Sequence, residues 1–163
     1  MVTELKFCYL QEKQIPQSKI KVISNGVDRE FLNVKTDHAV ESEYFSAKTF
    51  TVLYAGLMGI AQGVEVIIEA ANLVSDKHDI RFYIIGEGVE KEAIIETSKN
   101  FGLKNVKFIG NQPKEKIATF LKNSDVSVIP LKKASFSDSV PSKLLESMAF
   151  GCPVILSASG ESA

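Results

Sequence analysis

Residues 50–74 read FTVLYAGLMGIAQGVEVIIEAANLV, and this stretch decides the fold class. FTVLYAG (50–56) has the β-branched and aromatic content of a buried strand and stops at a glycine. From Gly63 to Val74 the apolar residues Val64, Ile67, Ile68, Ala71 and Val74 recur at helical spacing on one face. A buried strand feeding a helix through a glycine-rich turn is the repeating unit of an α/β protein.

The unit recurs along the chain. IRFYIIG (80–86) predicts a second strand, and Val89–Asn100 a helix with Gly102 just past its end. NVKFIG (105–110) predicts a third strand, followed by a helix from Pro113 to Lys122. DVSVIPL (125–131) predicts a fourth, with Pro130 near its end where a ladder can lose a donor. A helix from Pro141 to Phe150 and the strand PVILS (153–157) complete the series. Strands this apolar are covered on both faces, which predicts a doubly wound, Rossmann-like parallel sheet. Ligands of such sheets bind at the carboxyl ends of the strands. That edge gathers Gly56–Gly63, Gly86–Gly88, Gly110–Gln112 and Leu131–Lys143.

Upstream the pattern weakens. Residues 3–14 predict a short helix and KIKVIS (19–24) a strand, with Asn25-Gly26 as a turn signal. Residues 28–48 show no clean period.

With 163 residues the chain is long enough for one well-cored domain, and its composition is that of a globular protein. A formal net charge of −1 argues against a nucleic-acid partner. No apolar run approaches the ~20 residues a membrane-spanning helix needs. Cys8 and Cys152 lack paired spacing and neighbouring ligands, so they read as free thiols of a reducing cytoplasm and predict no metal site. His38 and His78 have no visible catalytic partner.

The chemistry lies in the loops. Gly56, Gly59 and Gly63 let the first turn approach a ligand closely, or simply make a tight turn. No Gly-Lys-Ser/Thr follows, which excludes a P-loop. Gly86 and Gly88 begin a dinucleotide fingerprint, but Lys91 occupies its third glycine position, against an NAD role. Glycines at a strand-end crevice are nonetheless compatible with contact to a sugar or base.

DSVPSKLLESMAFGCPV (138–154) is the richest segment. A helix N-terminus carries free N–H groups and partial positive charge, suited to a phosphate. Glu146, about one and a half turns along, is placed to accept hydrogen bonds from ribose hydroxyls. Taken singly, Asp138 reads as a turn or capping residue, Glu146 as an exposed helix acid and Lys143 as a solvated lysine. Their shared edge beside Ser139 and Ser142 favours function. Lys132 and Lys133 add positive potential nearby.

The segments NGVD (25–28), YAGLMGIAQG (54–63), IIGEG (84–88), FIGNQP (108–113) and PSKLLESMAFGCPVI (141–155) together resemble the family 4 glycosyltransferases, from about residue 18 onward. The resemblance implies a retaining enzyme of two-domain GT-B fold, of which this chain is the donor-binding half. Its AQG and VPSK variants are most similar in style to transferases of bacterial surface polysaccharide, including amino-fucose transferases. It implies a nucleoside diphosphate sugar as donor, UDP-linked, with no other cofactor and no metal. Glu146 would hold the ribose, and Asp138 the transferred sugar. Backbone amides from Ser139 through Val140 and Ser142 to Lys143 would hold the diphosphate. The base would lie near Gly86, Gly110 and Asn111. Many relatives carry a basic pair in the first turn, where this chain has Leu57 and Gln62; Lys143 is then the candidate for phosphate neutralisation.

The same resemblance divides the chain. Residues 1–24 would be the tail of an N-terminal acceptor domain, 25–48 an interdomain linker, and 49–163 a nucleotide-sugar-binding domain lacking its last helices. The acceptor, a sugar or lipid-linked glycan, would meet that other domain. The full-length enzyme would be cytoplasmic, with a peripheral position at the inner membrane face compatible but not encoded here. Two alternatives stay open: a non-catalytic nucleotide-binding module, and a sugar-nucleotide epimerase-like domain.

Overall fold

The computed structural model describes residues 4–132 and 140–158; Lys133, Asp138 and Ser139 therefore lie outside the described residues. Five parallel strands form one sheet: β1 (Phe50–Ala55), β2 (Ile80–Ile85), β3 (Val106–Ile109), β4 (Val126–Pro130) and β5 (Val154–Ser157). Their order is β3-β2-β1-β4-β5, the doubly wound arrangement that the strand–helix alternation predicts.

Alternate residues of the central strands face opposite layers, as a period of two requires. Val52, Tyr54, Phe82 and Ile84 point to one side. There they meet Val64, Ile67, Ile68 and Ala71 around α4 (Glu65–Leu73) and Ile94 of α5 (Lys91–Asn100). Leu53, Tyr83, Ile85 and Ile109 point the other way, onto Ala118, Phe120 and Leu121 of α6 (Lys114–Asn123). The chain leaves β1 for β2 on one side and returns to β4 on the other. A crevice opens where the winding reverses, above the carboxyl ends of β1 and β4.

Around this sheet the chain departs from the expectations in four places. A helix α1 (Glu4–Glu12) forms near the start, but Lys19–Ser24 is not a strand. Residues 17–19 make a 3₁₀ turn, residues 20–28 are irregular, and no strand pairs with them among the described residues. A lone β-patterned segment has no ladder to satisfy its backbone, so its propensity is not expressed.

Residues 28–48, aperiodic in sequence, carry two short helices, α2 (Arg29–Leu32) and α3 (His38–Tyr44). The Asp28 carboxylate accepts from Glu30 N, and Asp37 accepts from Ala39 N and Val40 N. Phe31 and Val40 are buried in the α6-side core, so this stretch packs as part of the domain. Finally, Pro113 and Pro141 cap α6 and α7 (Ser142–Ala149) instead of occupying their first helical positions.

Candidate functional site

α7 rises directly behind the crevice. It is pinned to the sheet by Ser147, whose hydroxyl bonds Ser127 Oγ of β4 at 3.0 Å and donates to the Lys143 carbonyl at 2.8 Å. Gly151, with φ of 71°, ends the helix in the left-handed conformation that glycine adopts freely. Upstream, Asn25 Nδ2 donates to the Val140 carbonyl at 2.8 Å and tethers the approach to α7. Among the described residues no side chain caps α7, and its first turns bring Lys143 and Glu146 to the crevice.

The floor is backbone. Gly56 N donates to the Ile85 carbonyl at 2.9 Å and Met58 N to the Glu87 carbonyl at 2.8 Å, so the turns after β1 and β2 lie against each other. A Cβ on Gly86 would stand 2.0 Å from the Gly56 carbonyl oxygen, and one on Gly88 2.2 Å from that of Met58. Both residues have positive φ. Their lack of side chains is thus already required by backbone packing, independently of any ligand.

A cavity of about 210 Å³ lies above this floor. Gly56, Gly86, Asn111, Lys143 and Glu146 all line it, and Lys114 faces them from the start of α6. Gln62 stands beside it in hydrogen-bond contact with Lys143. The other predicted residues among those described do not reach its lining. Gly59 and Gly63 bracket a 3₁₀ turn, Gly63 at φ 65°. Gly88 packs on Met58, Gly110 lies next to the Glu87 carboxylate, and Ser142 opens α7. Val140 contributes a carbonyl rather than a side chain. Lys132, read as a source of positive potential, is paired with Glu65 at 2.8 Å.

The charges are arranged unevenly. Lys143 Nζ donates to Gln62 Oε1 at 2.8 Å and to the Tyr54 hydroxyl at 3.2 Å, and sits 4.6 Å from the Tyr54 ring centre. Tyr54 in turn donates to the Leu57 carbonyl at 2.6 Å. Burial pulls the Lys143 ammonium down to about 8, a fall that Glu146 opposes. Burial also raises the Glu146 carboxyl, with Lys114 and Lys143 acting against the rise. Glu146 thus offers an acceptor with two cations in electrostatic reach, suited to a neutral polyol beside an anion. Among the described residues no cluster of His, Cys, Asp and Glu could hold a metal ion.

Lys114 escaped the sequence reading. A cation at the first position of a helix opposes the dipole, and that local conflict was its available signal. Asn25 was marked only as a turn residue and part of NGVD, and Phe31, which lines the cavity, carried no mark.

Residues 36–163 match the family model described as glycosyl transferases group 1. The chain is 32% identical over 107 residues to WcaI of Escherichia coli K12, a putative colanic acid biosynthesis glycosyl transferase. That match covers 66% of this chain and 26% of WcaI. The solved structure of WaaG, a glycosyltransferase involved in lipopolysaccharide biosynthesis, superposes with a TM-score of 0.80 at 16% identity. It covers all of this chain and 45% of WaaG. Anabaena HepE, solved with UDP and glucose, superposes at 0.74 and 18% identity, covering 97% of this chain and 43% of its own. Both structures are GT-B glycosyltransferases, and each contains a region with the Rossmann-like fold of this chain. The chain spans 26–38% of the curated relatives it matches.

Proposed function

Because the chain belongs to the group 1 glycosyl transferases, we propose that it forms the donor-binding part of a retaining enzyme that transfers a sugar from a nucleoside diphosphate sugar to a hydroxyl acceptor in cell-surface polysaccharide synthesis. The observation that carries this reading is the crevice at the winding reversal, where Lys143 and Glu146 of α7 line a cavity over the Gly56–Gly86 floor. In this reading Glu146 accepts hydrogen bonds from the ribose and Asp138 contacts the transferred sugar. The α7 amides and Lys143 take up charge on the diphosphate as the bond between sugar and phosphate oxygen breaks. Catalysis is then chiefly positioning and electrostatic stabilisation.

UDP is the proposed nucleotide, since HepE, which shares the fold, was solved with UDP and glucose. The AQG and VPSK segments favour an amino-fucose donor, and residues outside the donor domain select the acceptor. Calorimetric titration with UDP, GDP and ADP tests the reading. UDP binds, and Glu146→Ala weakens it by about 10- to 150-fold, the loss of a charge-assisted hydrogen bond. Wild-type affinity in Glu146→Ala sinks the ribose assignment, and silence toward all three nucleotides sinks the donor site.

A further inference from the structure

We propose that Gln62 and Tyr54 are positioning residues that hold the Lys143 ammonium as a cationic seat for the donor diphosphate, and that this seat takes up a proton as the nucleotide binds. The inference rests on the donor-site reading above and adds to it a role for two neutral side chains.

The geometry is that of a cation held without being neutralised. Lysine has three donors and no acceptor, so the Gln62 amide must turn its oxygen toward Nζ. Tyr54 offers a hydroxyl oxygen and the face of its ring. Both partners are uncharged. None of the ion pairs among the described residues involves Lys143. A carboxylate at residue 62 would cancel the charge and repel an anion; an amide orients the ammonium without cancelling its charge. Space is reserved as well, since a Cβ on Gly56 would come within 2.9 Å of Nζ. Bonded at 2.8 Å to a residue 81 positions earlier, the lysine cannot swing as a free surface side chain does.

Among the described residues, the groups facing Lys143 come from several elements. Tyr54 comes from β1, Gln62 from the turn after it, Glu146 from α7 itself and Lys114 from α6 by way of Glu146. Burial raises the Tyr54 phenol and keeps it protonated. Lys143, lowered to about 8, is therefore only partly charged in mildly alkaline solution. A diphosphate favours the charged form, so binding draws a proton from solvent.

UDP is a suitable probe because its terminal phosphate, with a second pKa of about 6, is already ionised above pH 7.5. Calorimetry of the full chain with UDP, run in Tris and in HEPES at pH 7, 8 and 9, reads the proton directly. At pH 8 the heats in the two buffers differ by the equivalent of about half a proton per UDP, and affinity falls about tenfold between pH 7 and 9. Lys143→Met loses both the affinity and the buffer dependence. Gln62→Glu, with its fold verified by circular dichroism, abolishes proton uptake and weakens UDP at least about tenfold at pH 7, as a carboxylate beside the ammonium demands. UDP binding that is independent of pH and buffer, or wild-type behaviour in Gln62→Glu, overturns this inference and leaves the donor site standing. Failure of the wild type to bind UDP at any pH overturns both.

Discussion

Burial holds Lys143 at about 8 against an ordinary 10.5, and the folded chain meets that desolvation in full at pH 7. Between about 8 and 10.5 the folded state binds fewer protons than the unfolded state, so this group makes stability rise with pH across that window. Lys143→Met accordingly stabilises the fold by roughly 1–3 kcal/mol at pH 7, an advantage that shrinks toward pH 10. Urea unfolding at the two pH values measures it, and a destabilised variant would show that the contacts to Tyr54 and Gln62 outweigh the desolvation. Gly86→Ala acts in the opposite sense. Its methyl would lie 2.0 Å from the Gly56 carbonyl at a φ of 139°, a clash with backbone that costs about 2–5 kcal/mol. Thermal melting checks this, with a change of only a degree or two counting against the close approach. Residues at this scale were legible only where local pattern marked them. Glu146 and Gly56 sit at offsets set by a strand end and a helix start. The bond from Lys143 to Gln62 joins residues 81 apart, and no window of sequence contains both.

Helices with a full apolar stripe announced themselves, and those made by caps and neighbours did not. α4 was readable because Ile67, Ile68 and Ala71 recur on one face. α3 has seven residues and buries only Val40, too little for a period to emerge. It holds because Asp37 caps two amides while its own N–H donates to Thr119 Oγ1 of α6 at 2.8 Å. Asp37→Ala should therefore cost about 0.5–2 kcal/mol, read as a lower urea midpoint at unchanged slope. An unaltered midpoint would mean α3 is held by packing alone. The Lys19–Ser24 segment is the converse case, a strand-like pattern without a neighbouring strand. Propensity proposes an element, and a partner decides it.

The winding of the whole molecule was legible because parallel strands buried on both faces read as apolar runs, and right-handed crossovers leave few topologies. Which ring meets which was not. Tyr44, Phe45, Tyr83 and Phe120 gather edge to face or tilted from α3, the residue after it, β2 and α6, and join the upstream helices to the sheet. Phe120, 1% exposed at their centre, is the test of that union. Phe120→Ala should cost about 3–5 kcal/mol in one cooperative transition, whereas separate unfolding of residues 28–45 would show that the stretch is an appendage. The interlocked turns at Gly56 and Gly86 also bear on how such a site could be redesigned. Backbone at Gly86 and the Lys143 ammonium at Gly56 leave no room for a methyl group, so the cavity cannot be rebuilt from below. The opposite wall, from Asn111 to Lys114, consists of side chains and can be exchanged without touching that contact. A library meant to reshape this cavity belongs on that wall, with the glycines left alone.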